Sequence, residues 1–127
     1  MNIEKLFRIS LIATFFMNMC GALMFVPGFR FFRELGGLPE PGNPFYLWIL
    51  SIWIFFFGVL YLFLAFAETR EKFFVLIGAL GKSSFAVLLA VLAFAGQLPF
   101  RAALVGLADL VIAAIFFIWI FKSDAGE

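Results

Sequence analysis

Phe45-Tyr-Leu-Trp-Ile-Leu-Ser-Ile-Trp-Ile-Phe-Phe-Phe-Gly-Val-Leu-Tyr-Leu-Phe-Leu-Ala-Phe-Ala67 contains no charged residue. As a helix rising 1.5 Å per residue, a stretch of this length reaches across a hydrocarbon core about 30 Å thick. It lacks the alternation of a barrel strand, and in lipid only helices and closed barrels satisfy every backbone group. The segment is therefore read as a transmembrane helix, begun by Pro44, whose missing N–H costs nothing at a first helical position.

Three further runs have the same character. The first extends over 6–26 and stops at Pro27-Gly28, which resists helix continuation. The third covers 73–95 and is interrupted only by Lys82, and the fourth covers 100–121 with Arg101 at its start and Asp109 inside. The expected fold is all-α: one domain over 1–127, a polytopic compact four-transmembrane-helix bundle. Its second helix is 45–67, and a connection at 27–44 carries a short interfacial segment. Lys5 and Arg8 precede the first run as in a secretory leader, but no small-x-small cleavage site follows, so the run is read as a span.

Composition agrees with this architecture and excludes much else. Of the 127 residues 65% are hydrophobic, against about 45–50% in soluble domains. Mean hydropathy is +1.13. A net charge of +1 offers no basic face for nucleic acid. The absence of His removes imidazole-ligated metal and His-dependent triads, and the single Cys20 cannot form an internal disulfide. Cys20 reads as a small buried filler. No cofactor and no metal are expected.

Basic residues suggest the orientation. Lys5, Arg8, Arg70, Lys72 and Lys122 fall on one side, and Arg30, Arg33 and Arg101 on the other. The positive-inside rule then places both termini in the cytoplasm and 27–44 outside. Within 28–35, a helical turn would present Arg30, Arg33 and Glu34 on one face and Phe31, Phe32 and Leu35 on the other. That pattern suits a half-embedded anchor, with a lid over a cavity as the alternative. The two short connections predict that the second helix packs beside the third, and the third beside the fourth. Trp48 and Trp119 suit an interfacial belt.

Lys82 and Asp109 are the residues that lipid tolerates least. Lys82 lies nine residues into the third helix and Asp109 nine into the fourth, each about 13 Å deep from opposite surfaces. They should meet near the midplane and pair. Small residues accompany both: Gly78, Ala86, Ala90 and Ala93 around Lys82, and Ala102, Gly106 and Ala113 around Asp109. These allow close backbone approach. The first helix adds a stripe of Ser10, Thr14, Asn18 and Ala22, and the second adds Ser51, Gly58, Tyr61 and Ala65. Asn18, Tyr61, Lys82, Ser83, Ser84 and Asp109 are thus the candidate interior site, with Gly58, Gly78, Ala86, Gly106 and Ala113 as packing positions. For Asn18 and Tyr61 taken singly, interhelical hydrogen bonding is the better reading.

The run Gly78-Ala-Leu-Gly81-Lys82, followed by Gly106-Leu-Ala-Asp109-Leu in a second apolar helix, resembles small bacterial four-helix membrane proteins grouped as DoxX-like. The resemblance implies an inner-membrane location and carries no activity to particular residues. Small multidrug transporters place a Glu in the first helix, where this chain has Thr14 and Asn18. Membrane disulfide-forming enzymes need paired cysteines, and the Glu-Arg-x-x-x-Asn pattern of glutathione-using membrane transferases is missing from the second helix.

Three functions stay open. One is binding or moving a small amphiphile or a proton at the Lys82/Asp109 cluster. Another is a structural or assembly subunit, in which the pair fixes helix register and the Phe-rich exterior meets another membrane protein or a second copy. An enzyme using Lys82 or Asp109 as acid or base ranks last, because no nucleophile, metal set or cofactor motif accompanies them.

Overall fold

The computed structural model describes residues 2–125, and among these it is all-α. The helices are α1 (Ile3–Met24), α2 (Phe31–Gly36), α3 (Pro44–Phe66), α4 (Lys72–Phe94) and α5 (Phe100–Ala125). Four of them, all except α2, are long and apolar enough to cross a membrane. The chain is a multi-pass membrane protein with α2 between its first two spans.

Local chemistry sets the helix ends. Asn2 caps α1 by accepting from the Lys5 N–H at 2.8 Å. Asn43 caps α3 by accepting from the Phe45 N–H at 2.9 Å, with Pro44 in the first turn. The spans begin up to three residues earlier than hydropathy suggests, and α5 runs four residues further, to Ala125. Polar and charged terminal turns continue a helix that a hydropathy window has already left.

The bundle consists of two tight pairs. α1 and α3 lie side by side, as do α4 and α5. In the first pair, Gly58 gives α3 a flat surface against Asn18 and Met19. Asn18 Nδ2 donates to the Ile54 carbonyl at 2.9 Å, and Ser51 Oγ donates to the Ala22 carbonyl at 2.7 Å. In the second pair, Gly106 lies on Ala86, with Ala102 and Ala113 buried on the same face of α5. Small residues permit close approach where lipid offers no hydrophobic drive for helices to associate.

The pairs join at the end carrying both termini. Phe7 of α1 stacks on Trp119 of α5, centroids 4.4 Å apart, and meets Phe116 edge-on at 5.5 Å. Leu11, Leu64, Val75, Ala79 and Ile112 complete this core. Trp119 is thus a core residue and not an interfacial anchor. Its indole N–H donates to Glu4 Oε1 at 2.7 Å, and the other Glu4 oxygen accepts from Arg70 at 2.7 Å. Arg70 also donates to the Leu64 and Ala65 carbonyls at the end of α3.

Adjacency of α3 and α4 holds only at this end. They meet where Tyr61 lies over Gly78, and beyond that level they separate. Leu50, Trp53 and Phe57 on α3 and Ile77, Phe85 and Leu88 on α4 line the space between them. A tight turn brings two helices together only at the turn.

Candidate functional site

Beyond the core, the parted pairs enclose a cavity of about 1020 Å³. Drug-sized ligand sites span about 300–1,000 Å³. Its lining on α3 runs from Tyr46 to Tyr61, about 22 Å of helix at 1.5 Å per residue. The walls are apolar, with Met17, Ile54, Phe57, Phe85 and Leu89 among them. Leu50 and Trp53 on α3 and Ile77 and Leu88 on α4 line it and are exposed, and these two helices are unpacked there, so the cavity opens between them; Ala13 and Phe16 on α1 also line it and are exposed.

Lys82 and Asp109 form the floor. Lys82 Nζ stands 2.6 Å from Asp109 Oδ1, and the two side chains are 6% and 18% exposed. Antiparallel α4 and α5 bring them to one level, and the Gly106 contact with Ala86, one helical turn away on each helix, holds the two backbones close there. The ammonium lies 5.4 Å from the Tyr61 ring centroid, so the ring face adds a second favourable contact for the cation. Isolated charges at a bilayer centre cost about 2.5–3.5 kcal/mol each even on lenient scales, and pairing offsets much of this.

Asn18 and Tyr61 line the same cavity. Asn18 also ties α1 to α3, so its amide nitrogen is committed to the Ile54 carbonyl. Ser83 and Ser84 do not belong to the site. Ser84 is exposed and its hydroxyl donates to the Leu80 carbonyl one turn back at 2.7 Å, while Ser83 is half-buried outside the lining. Residues directly after Lys82 step by about 100° each around a helix of 3.6 residues per turn, which turns these two away from the Lys82 face. Cys20 is likewise exposed on α1 at the cavity's edge, and not a buried filler.

No family model, curated protein or solved structure matches this chain at a significant level. The geometry of the site therefore carries the functional argument.

The far end of the cavity is closed by α2 and the segment after it, with Phe32, Leu38, Pro39, Glu40 and Pro41 in the lining. Arg33 organises this roof. It does not share an outward face with Arg30 and Glu34: its side chain is 1% exposed. One terminal nitrogen donates to the carbonyls of Met24 at 2.6 Å, Val26 at 3.1 Å and Phe29 at 3.0 Å, and Nε donates to Glu40 Oε1 at 2.8 Å. The last carbonyls of α1 lack intrahelical partners, and α1 has no basic residue in its final turn. A cation from the following loop meets that need. This absence was the sequence signal for Arg33, since only Arg30 and Arg33 follow closely enough.

The Arg33 hydrogen bond holds the Glu40 carboxyl below its ordinary value of 4.5, and the positive charges of Arg33 and Arg30 act in the same direction. Gly37 completes the roof with φ of 69°, and a Cβ there would strike Pro99 and come within 2.8 Å of Arg101 Nε. Among the described residues, Thr14 Oγ1 is the buried side-chain polar atom with no hydrogen-bond partner. No cluster of three His, Cys, Asp or Glu side chains suited to a metal occurs among the described residues.

Proposed function

We propose that this chain is a small integral inner-membrane protein that binds or moves a small amphiphile at the Lys82/Asp109 cluster. The observation that carries this reading is the cavity itself. It is apolar along its length, open at the side between α3 and α4, and ends on a buried ion pair with Tyr61 beside it. Apolar walls with a few convergent polar groups are the usual form of a small-molecule site. A pair serving only helix register needs no space next to it. A proton could use the same two groups, and the amphiphile reading is preferred because a proton path does not call for a volume of this size.

A bacterial inner-membrane location with both termini in the cytoplasm fits the basic residues, five on the terminal side against three on the other, and the DoxX-like resemblance. A reporter fused to the C-terminus, active only in the cytoplasm, tests this orientation.

The assembly reading is kept for one specific observation. The Lys82–Asp109 contact is short and flanked by the close Gly106–Ala86 packing, as expected of register-fixing glue. Native mass spectrometry of gently extracted protein separates the two, comparing wild type with the Lys82→Met, Asp109→Asn double variant. A small molecule retained by the first and absent from the second supports binding. Bare protein in both, with a stoichiometric membrane partner recovered by affinity capture, supports assembly.

A further inference from the structure

The chemical class of the ligand can be argued one step further, resting on the amphiphile-binding reading above. Three charged side chains line the cavity: Glu40, Lys82 and Asp109. Each is already matched to an internal partner. Arg33 donates to Glu40 at 2.8 Å, and Lys82 and Asp109 hold one another at 2.6 Å. A charged headgroup brought to the floor would lose its hydration and find no uncommitted countercharge. With the pair intact it would be an uncompensated charge beside one of like sign, Asp109 for an anion and Lys82 for a cation; to be compensated it would have to separate the pair and strand one partner in a low-dielectric interior.

The floor does retain neutral hydrogen-bonding capacity. An ammonium carries three N–H donors and a carboxylate two acceptor oxygens, and one contact joins Lys82 to Asp109. A hydroxyl or carbonyl can accept from Lys82, and a hydroxyl can also donate to Asp109, with the pair intact. The shape adds a second condition. The slot runs about 22 Å along α3 and opens sideways, which suits a long chain lying parallel to the helices.

We infer that the cavity takes an uncharged long-chain amphiphile. Its hydroxyl or carbonyl head sits at Lys82 and Asp109, and its chain lies along the α3–α4 mouth towards Pro39 and Pro41. Ionic lipids of the same chain length are excluded by the matched charges.

The test uses three probes with one tail: hexadecan-1-ol, hexadecyl sulfate and hexadecyltrimethylammonium. Each is added to the delipidated full-length protein and retention is read by native mass spectrometry. Two variants accompany wild type. Lys82→Met with Asp109→Asn removes the charges. Leu88→Trp narrows the mouth at an exposed lining position without touching the pair, and it decides the matter should the double variant not fold. The expected result is retention of the alcohol at least tenfold above either ion, lost at least tenfold in both variants. If the sulfate or the ammonium compound were retained as well as the alcohol, and lost in the variants, the amphiphile site would stand and the neutral-head inference would fall. If no probe were retained by wild type above the level of Leu88→Trp, the inference and the binding reading beneath it would fall together.

Discussion

Gly106 of α5 stands against the backbone of Ala86 in α4, so closely that a Cβ added to it would lie 2.9 Å from the Ala86 Cα. That contact sets the distance between the two helices one turn from Lys82 and Asp109. Gly106→Ala should force the backbones apart and destabilise the protein by about 1–3 kcal/mol, the range for overpacking a tight interior. Gly81, one residue before Lys82, has open space where its Cβ would be. Gly81→Ala should leave stability unchanged or raise it, since Ala is the better helix former. Thermal midpoints of the two variants in the same detergent provide the comparison.

The ion pair should show strong coupling. Lys82→Met alone strands the Asp109 carboxylate, and Asp109→Asn alone strands the ammonium. Each single change is expected to cost about 3–5 kcal/mol, as for other buried pairs broken from one side. The double variant removes both charges and should be less damaged than the worse single variant. A double-mutant cycle on unfolding free energies would give a coupling of at least about 2 kcal/mol if the 2.6 Å contact persists in the membrane. Additive losses would mean that it does not.

Arg33 should matter more than any other residue of the 27–44 connection. Its removal takes the guanidinium donor from the Met24 and Phe29 carbonyls, leaves Val26 with only the Phe29 N–H, and leaves Glu40 without its partner. Hydrogen bonds to charged groups contribute about 1.5–3 kcal/mol each and do not add simply, so Arg33→Ala should cost about 3 kcal/mol or more. Arg33→Lys should rescue little, because an ammonium lacks the planar fork that reaches Glu40 and the carbonyls together. Arg30→Ala, at an exposed position, is the neutral control. Limited proteolysis within 27–44 would report the loss directly.

Acid should loosen the roof in a defined direction. The Glu40 carboxyl is held below 4.5 by its Arg33 hydrogen bond. A group with a lowered folded pKa contributes stability above its unfolded value and loses that contribution as pH falls through the folded one. The difference in thermal midpoint between wild type and Glu40→Gln should therefore be constant above about pH 5 and vanish as pH drops well below 4. A difference that persisted under acid would place the effect of Glu40 elsewhere than in its charge.

Hydropathy made the four spans legible because the bilayer imposes a length and an absence of charge that each segment must meet by itself. The Lys82–Asp109 pair was legible for a related reason: two charges at one depth in adjacent antiparallel helices have few alternatives to each other. Relationships between helices were harder to read. A lipid-facing surface is as apolar as a packed one, so Phe7 and Phe116 in the core resemble Phe63 and Phe94 on the outside. The Glu4 contact with Trp119 spans most of the chain, and neither residue signals it. Proximity in sequence puts Ser83 and Ser84 beside Lys82, and helical rotation separates them from the site. The parting of α3 from α4 beyond their turn is set by how each packs in its own pair, with α1 or with α5, which a loop length does not encode.

The aromatic core around Phe7, Phe116 and Trp119 closes the end of the bundle that carries the termini, and the opening between α3 and α4 runs from Tyr61 and Ile77 towards the opposite end. Set in a bilayer, such a molecule is asymmetric from end to end: sealed near the surface that carries the termini and slotted from there past the midplane. A molecule could then reach Lys82 and Asp109 sideways, along the helices, without passing either surface of the membrane. Entry from within the bilayer would then come from the shape of the protein alone, with no moving part required.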